Sequence, residues 1–294
     1  MKAITTTQIQ MPQTQNASRA EITHFYDEAT SDYSFWSKDL NMHFGYFAWG
    51  RTNPVKRDSM LNEMNRQIYS RLELPKEKAT IADLGCGMGG TMRYFLRQHP
   101  QLSAIGVTLS PFQVREGNKL LKGKKAIILE ENYCGTSIPT NSMDAAVGIE
   151  SLCHAGHSNE SLREAYRIVK PGGTFVLADA FLKKDPSQLC LGSRFSYNQL
   201  CKGWSLDGLG VISVVEQNLK EIGFSKVTVE DISFRVAPSV FHVPFAIVGF
   251  LLQQLFQHKK IKSQSWNNLK ASFYALVSGL HMKDFGYYVI TAKK

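Results

Sequence analysis

The sequence is 294 residues long, with 43% apolar residues, 20% charged residues and a formal charge of +9. Those proportions belong to a folded globular chain and exclude a disordered or fibrous class. The positive charge suits an anionic partner, but Lys and Arg are dispersed, and the densest cluster, Lys122, Lys124 and Lys125, only follows a predicted helix; no nucleic-acid interface is expected.

From the N-terminus, residues 1–20 are polar, rich in Gln and Thr, and lack the apolar run of a secretory signal, so they read as a loose tail. Residues 21–75 form a predicted helical cap rich in aromatics, in which Met60, Met64, Ile68 and Leu72 step by four along one helix face. From residue 76 to 234, short apolar runs alternate with helix-period segments, the signature of βα units feeding a mostly parallel sheet. Strands are expected at Thr80–Leu84, Ala104–Thr108, Ala126–Leu129, Ala145–Ile149 and Thr174–Asp179, then at 226–233 and in "YYVITAK" within a final segment 285–294. Leu162, Ala165, Tyr166 and Val169 mark a helix that "KPGG" at 170–173 stops, and Ile212, Val215, Leu219 and Ile222 mark another.

The segment 235–284 is far longer than an ordinary connection of about 4–6 residues, which identifies an insertion, either a lid or a binding element. Its apolar core, "VFHVPFAIVGFLLQQLF" at 240–256, is interrupted by His242, Pro244 and the Gln253–Gln254 pair and falls short of the roughly 20 apolar residues of a membrane span. A buried helix, a lid over an apolar ligand and a peripheral membrane contact all fit it. The five cysteines, Cys86, Cys134, Cys153, Cys190 and Cys201, contain no C-x-x-C pair, so neither a disulfide framework nor a metal site is expected, as in a cytoplasmic protein.

The most informative stretch is "ATIADLGCGMGG" at 79–90, a strand running into a glycine turn and then a helix. Such a turn lets backbone approach a ligand at a helix N-terminus. Gly85, Gly87 and Gly90 also satisfy the dinucleotide pattern G-x-G-x-x-G, which requires an acid about 20 residues on for the ribose. The second strand ends instead in Val107-Thr108-Leu109-Ser110, so a nicotinamide dinucleotide lacks its anchor.

Four blocks in order, "ADLGCGMGG", "GVTLSPFQ", "IPTNSMDAAVGIES" and "RIVKPGGTFVLAD", resemble the class I S-adenosylmethionine-dependent methyltransferases over about residues 20–235. The resemblance implies an α/β fold: a Rossmann-like, doubly wound, mostly parallel seven-stranded sheet with an N-terminal aromatic cap and a C-terminal lid insertion. It implies S-adenosyl-L-methionine as cofactor, with Asp83 orienting the loop and the ammonium group, and Gly85, Cys86, Gly87 and Gly89 near the methionine part. Thr108, Leu109 and Gln113 fall where the ribose is held, although Thr108 replaces the usual acid. Asn132 and Tyr133 fall at the adenine position, where the amide oxygen of Asn132 remains an acceptor.

The fourth strand ends in "GIESLCHAGH", which resembles the corresponding block of sterol C-24 and tocopherol-type methyltransferases, and "HFGYFAWG" at 43–50 resembles their aromatic cap. This implies Glu150 and His154 as catalytic groups, and Tyr33, Trp36, His43, Phe44 and Tyr46 as a wall around a hydrophobic small-molecule acceptor. Carbon methylation of an isoprenoid alkene is the favoured reaction, with Glu150 as counter-charge to a carbocation and His154 as base. O- or N-methylation of a natural-product scaffold, and a non-catalytic lipid-binding module on the same fold, remain alternatives.

Overall fold

The alternating pattern folds as a seven-stranded sheet in the computed structural model, which describes residues 36–256 and 263–294. The strands are β1 (Ala79–Leu84), β2 (Leu102–Thr108), β3 (Ala126–Glu130), β4 (Met143–Ile149), β5 (Val169–Leu182), β6 (Lys226–Asp231) and β7 (Phe285–Lys293), in the order β3-β2-β1-β4-β5-β7-β6. All pairings are parallel except those of β7, which runs antiparallel to both β5 and β6. Strand order reverses between β1 and β4, and this switch point opens a crevice at the carboxyl ends of the strands.

Helices cover both faces. On one side lie α1 (Arg57–Arg71), α2 (Gly90–Gln98) and α3 (Pro111–Leu120); on the other lie α4 (Asn159–Ile168) and α6 (Ile212–Ile222). The methionine-rich stripe of α1 is core: Met60, Met64 and Ile68 are completely buried and Leu72 nearly so. Burying each such side chain contributes about 1.5–3 kcal/mol relative to leaving it exposed. α4 starts where the Ser158 hydroxyl accepts from the Ser161 backbone N–H, and it ends at Ile168.

The "KPGG" segment does stop that helix, but it does not precede the strand. β5 begins at Val169, pairs with Met143, and resumes its register at Thr174 opposite Ala145, so residues 170–173 bulge within the strand. Proline and glycine are tolerated there because a bulge leaves ladder positions unpaired.

Between β6 and β7 the chain makes three helices, α7 (Ser233–Val240), α8 (Val243–Phe256) and α9 (Ser263–Leu280). α9 packs on α5 (Leu191–Trp204), where Trp204 Nε1 donates to Asn268 Oδ1 at 2.8 Å and Ser278 Oγ to Ser196 Oγ at 3.2 Å. α7 is clamped to the N-terminal segment: the Gly45 N–H donates to Ser239 Oγ at 2.8 Å and the Phe47 N–H to the Arg235 carbonyl at 2.7 Å. The inserted helices and the aromatic segment therefore close over the sheet edge as one cover.

Candidate active site

Beneath that cover lies a cavity of about 870 Å³. It runs from the glycine turn, past the end of β4, to the inner faces of α7, α8 and α9. Ligand sites are commonly about 300–1,000 Å³, so this one is large enough for two ligands end to end.

The turn end is built by β1. Asp83 is 4% exposed, and its Oδ2 has no hydrogen-bond partner among the described residues. Burial pushes its pKa up to about 7. Gly85 and Gly87 follow with φ of +91° and +53°, a left-handed backbone that side chains resist. At Gly85 a Cβ would also stand 2.3 Å from the Ser151 Cβ, so glycine is required for β1 and the end of β4 to approach. Cys86 is buried in the cavity wall, whereas Gly89 caps α2 from outside that wall.

At the end of β2, the Thr108 hydroxyl donates to Gln113 Oε1 at 2.6 Å, and the Ser110 hydroxyl caps α3 by accepting from the Gln113 N–H at 3.2 Å. Thr108 and Gln113 are thus a bonded pair that lines the cavity with Leu109. Beyond β3, Asn132 Oδ1 accepts from the Cys134 N–H at 2.9 Å, and Tyr133 OH donates to the Ser151 carbonyl at 3.0 Å. Both face the cavity, each with one polar atom committed to the loop.

The centre of the cavity belongs to Glu150. It follows β4 with φ of +48°, a strained conformation outside glycine of the kind that collects at functional sites. Its Oε1 accepts from the Phe44 N–H at 2.6 Å and from Tyr287 OH at 2.7 Å. Burial, with a smaller push from Asp179, raises its pKa to about 8, against the pull of those two donors. Because both donors converge on Oε1, the carboxylic acid's proton resides on Oε2. His154, on a 3₁₀ turn at Leu152–Ala155, presents Nδ1 to the Ser205 carbonyl at 3.4 Å, and burial lowers its pKa. A neutral acid and a neutral imidazole therefore face one cavity, and opposite shifts of this kind separate acid from base.

Two residues that sequence reasoning left out complete the centre. Tyr287 comes from β7, and Asp179 stands near the end of β5. Asp179 Oδ2 accepts from the Cys153 N–H at 3.2 Å and lies 3.1 Å from His157 Nε2. The Gly210 N–H donates to His157 Nδ1 at 3.0 Å, which assigns the ring proton of a neutral His157 to Nε2, facing Asp179. The imidazole stacks on Phe181 at 4.3 Å, so His157 positions Asp179 from behind the wall.

The expected acceptor wall is only partly assembled. Trp36, His43 and Phe44 line the cavity. His43 is buried, with Nδ1 donating to the Phe44 carbonyl at 2.8 Å and Nε2 3.1 Å from Asn65 Oδ1, which makes it part of the frame. Trp36 already carries the Arg57 guanidinium on its ring at 4.4 Å. Tyr46 is placed elsewhere: its N–H binds the Met60 carbonyl at 2.9 Å, its ring packs on the core beside α1, and the Arg235 guanidinium lies over that ring at 6.0 Å. Tyr33 lies outside the described residues. Apolar side chains of α7 and α8, among them Val240, Val243 and Phe250, supply the rest of the wall.

Comparison with known proteins agrees with this geometry. Residues 82–177 match the family model described as a methyltransferase domain. The matched residues are those of an S-adenosylmethionine-dependent methyltransferase domain. The chain is 28% identical over 220 residues to 24-methylenesterol C-methyltransferase 2 of Arabidopsis thaliana, a match covering 71% of the chain and 57% of that relative's length. It is 25% identical over 237 residues to 2-methyl-6-phytyl-1,4-hydroquinone methyltransferase of Synechocystis sp., covering 76% and 71%. Its fold is that of the cyclopropane synthase MmaA2 of Mycobacterium tuberculosis, with a TM-score of 0.80 at 17% identity over 96% of this chain and 100% of the other. The site also fits S-adenosylmethionine by its own chemistry: the buried Asp83 oxygen, unpartnered among the described residues, calls for a cationic donor such as an ammonium group.

Proposed function

We propose that the protein transfers a methyl group from S-adenosylmethionine to a lipophilic small molecule, and that the favoured reaction is methylation of an isoprenoid alkene carbon. The observation that carries this is the single cavity: it joins a polar turn built around Asp83 to an apolar chamber under the inserted helices, with Glu150 between them. The names of the relatives, a sterol C-methyltransferase and a phytyl-hydroquinone methyltransferase, support an acceptor of this class.

Asp83, Gly85, Cys86 and Gly87 would hold the methionine part of the cofactor, Thr108, Leu109 and Gln113 the ribose, and Asn132 and Tyr133 the adenine. S-adenosylmethionine supplies an electrophilic methyl group. The residues of this chain orient the acceptor, exclude water and manage one proton. Phe44, Trp36 and Tyr287 offer aromatic surfaces, each worth roughly 0.5–2 kcal/mol against a positive charge on the acceptor. A positive charge there also favours loss of the Glu150 proton and so turns a neutral acid into a counter-charge. His154, neutral at physiological pH, is the base for the proton that the acceptor must lose. The helices between β6 and β7 act as the lid over the acceptor chamber.

Transfer of tritium from methyl-labelled cofactor into organic-extractable product, across sterol, prenyl and quinol panels, tests the reading. Label is expected to enter an acceptor of one of these classes, with the new bond at carbon. Tight cofactor binding with no transfer to any acceptor would overturn it in favour of a binding module.

A further inference from the structure

The helices α7 and α8 form an almost continuous apolar run of 24 residues, Ser233–Phe256, of which only a minor share is buried. Helices that are apolar all round are normally enclosed by a protein core or by lipid. Here one face is accounted for: Val236, Ala237, Val240, Val243, Ala246 and Phe250 line the cavity. The opposite face is bare, with Phe234, Phe245, Leu255 and Phe256 each at least 70% exposed and Val248 and Leu252 about half exposed. A contiguous apolar patch on this scale marks an interaction surface.

Charge identifies what covers it. From Ser233 to Leu280 the sequence contains no Asp or Glu and five Lys or Arg, and of the latter Arg235 lies on α7 and Lys270 on α9. An apolar face on an insertion whose sequence is acid-free and basic suits the boundary between acyl chains and anionic headgroups. Length alone would allow a membrane span, but the inner face of the same helices walls the cavity, and α7 carries Pro238 within it. That arrangement suits helices that lie on a bilayer rather than cross it.

We propose that the outer face of α7 and α8 docks the protein on an anionic lipid bilayer, bringing the cavity under these helices to the membrane surface. Docking itself is independent of catalysis. The corollary, that a lipophilic acceptor passes from the bilayer between these helices into the cavity, rests on the reading given under Proposed function.

Flotation of the full chain with vesicles of phosphatidylcholine, alone or mixed with phosphatidylserine, tests docking without any turnover. Wild type is expected to float with the mixed vesicles and to be released progressively by salt, and the triple substitution Phe245→Ser, Leu255→Ser, Phe256→Ser to weaken partition by about 100-fold or more, given the apolar area removed. The helical circular dichroism of the triple variant and its affinity for S-adenosylhomocysteine are expected to stay at wild-type values, which separates lost docking from lost folding. Failure of wild type to float, or equal flotation of the variant, would overturn the proposal. So would a concentration-dependent dimer abolished by the same substitutions in the absence of lipid, which would assign the face to a second copy. Methyl transfer to a detergent-dispersed acceptor reads the catalytic proposal separately, so either proposal can fail while the other stands.

Discussion

The two ends of the cavity are built on opposite physical principles. At the glycine turn, backbone held by the sheet and a few fixed polar atoms define the site, and Asp83, Thr108 and Gln113 are all nearly inaccessible. Under α7, α8 and α9 the wall is apolar side chain carried on helices inserted into the sheet at its β6–β7 connection. The first kind of site is selective, because a missing partner leaves a buried polar group unpaired. The second discriminates by shape and area, about 0.8 kcal/mol per methylene. Acceptor preference can therefore change on the inserted helices without disturbing the sheet that holds the cofactor.

Glu150 sits where the two ends meet, so its substitution gives the largest expected effect. Glu150→Gln should lower kcat about 100-fold or more while leaving S-adenosylhomocysteine affinity near wild type by calorimetry. A matched loss of affinity would place Glu150 with the cofactor end and break the division.

Asp83→Asn should weaken cofactor affinity by about 10- to 100-fold, the worth of a charged hydrogen bond. Its stability effect runs the other way. The folded pKa of Asp83, about 7, lies above its ordinary 3.8, so its contribution to stability is fully present below about pH 4 and is lost as pH rises through 7. The ligand-free variant should thus melt higher than wild type at pH 8. In wild type, cofactor affinity should fall as pH drops below 7, with proton release on binding visible as a dependence on buffer ionisation heat; the Asn variant should show neither.

On the lid side, Phe250→Ala should raise the acceptor KM by about tenfold with cofactor affinity unchanged. The smallest effect concerns Tyr287→Phe. Removing a donor from Glu150 Oε1 stabilises the protonated acid, so the alkaline pH at which Glu150 ionises, about 8 in wild type, should move upward. A pH–kcat profile that does not move would show that Tyr287 acts only in packing.

Much of the cofactor end was legible because it is local in sequence. A strand, a glycine turn and a helix follow one another within residues 79–98, and the stripe of α1 repeats every four residues, so periodicity alone places them. The position of Glu150 and His154 at the cavity was legible for the same reason: one directly follows β4 and the other lies on the turn after it. Asp179 was within reach: it lay near the carboxyl end of an expected strand, where such folds place their ligands. Tyr287 was not. It meets Glu150 across 137 residues of sequence, and only the antiparallel register of β7 on β5, with Tyr287 opposite Ala180, brings it there. Local pattern also gave Tyr46 to the acceptor wall, whereas a bond to the Met60 carbonyl, beyond the reach of local pattern, holds it against α1.

The late position of β7 has a consequence for biosynthesis. Among the described residues β6 pairs only with β7 in the sheet, and β7 also carries Tyr287, whose hydroxyl holds Glu150. A nascent chain halted before Phe285 has the whole glycine turn yet exposes an unpaired β6 edge and a half-anchored carboxyl. Competence to grip the donor should thus precede competence to react during synthesis on the ribosome, with chaperone demand greatest in the interval between them.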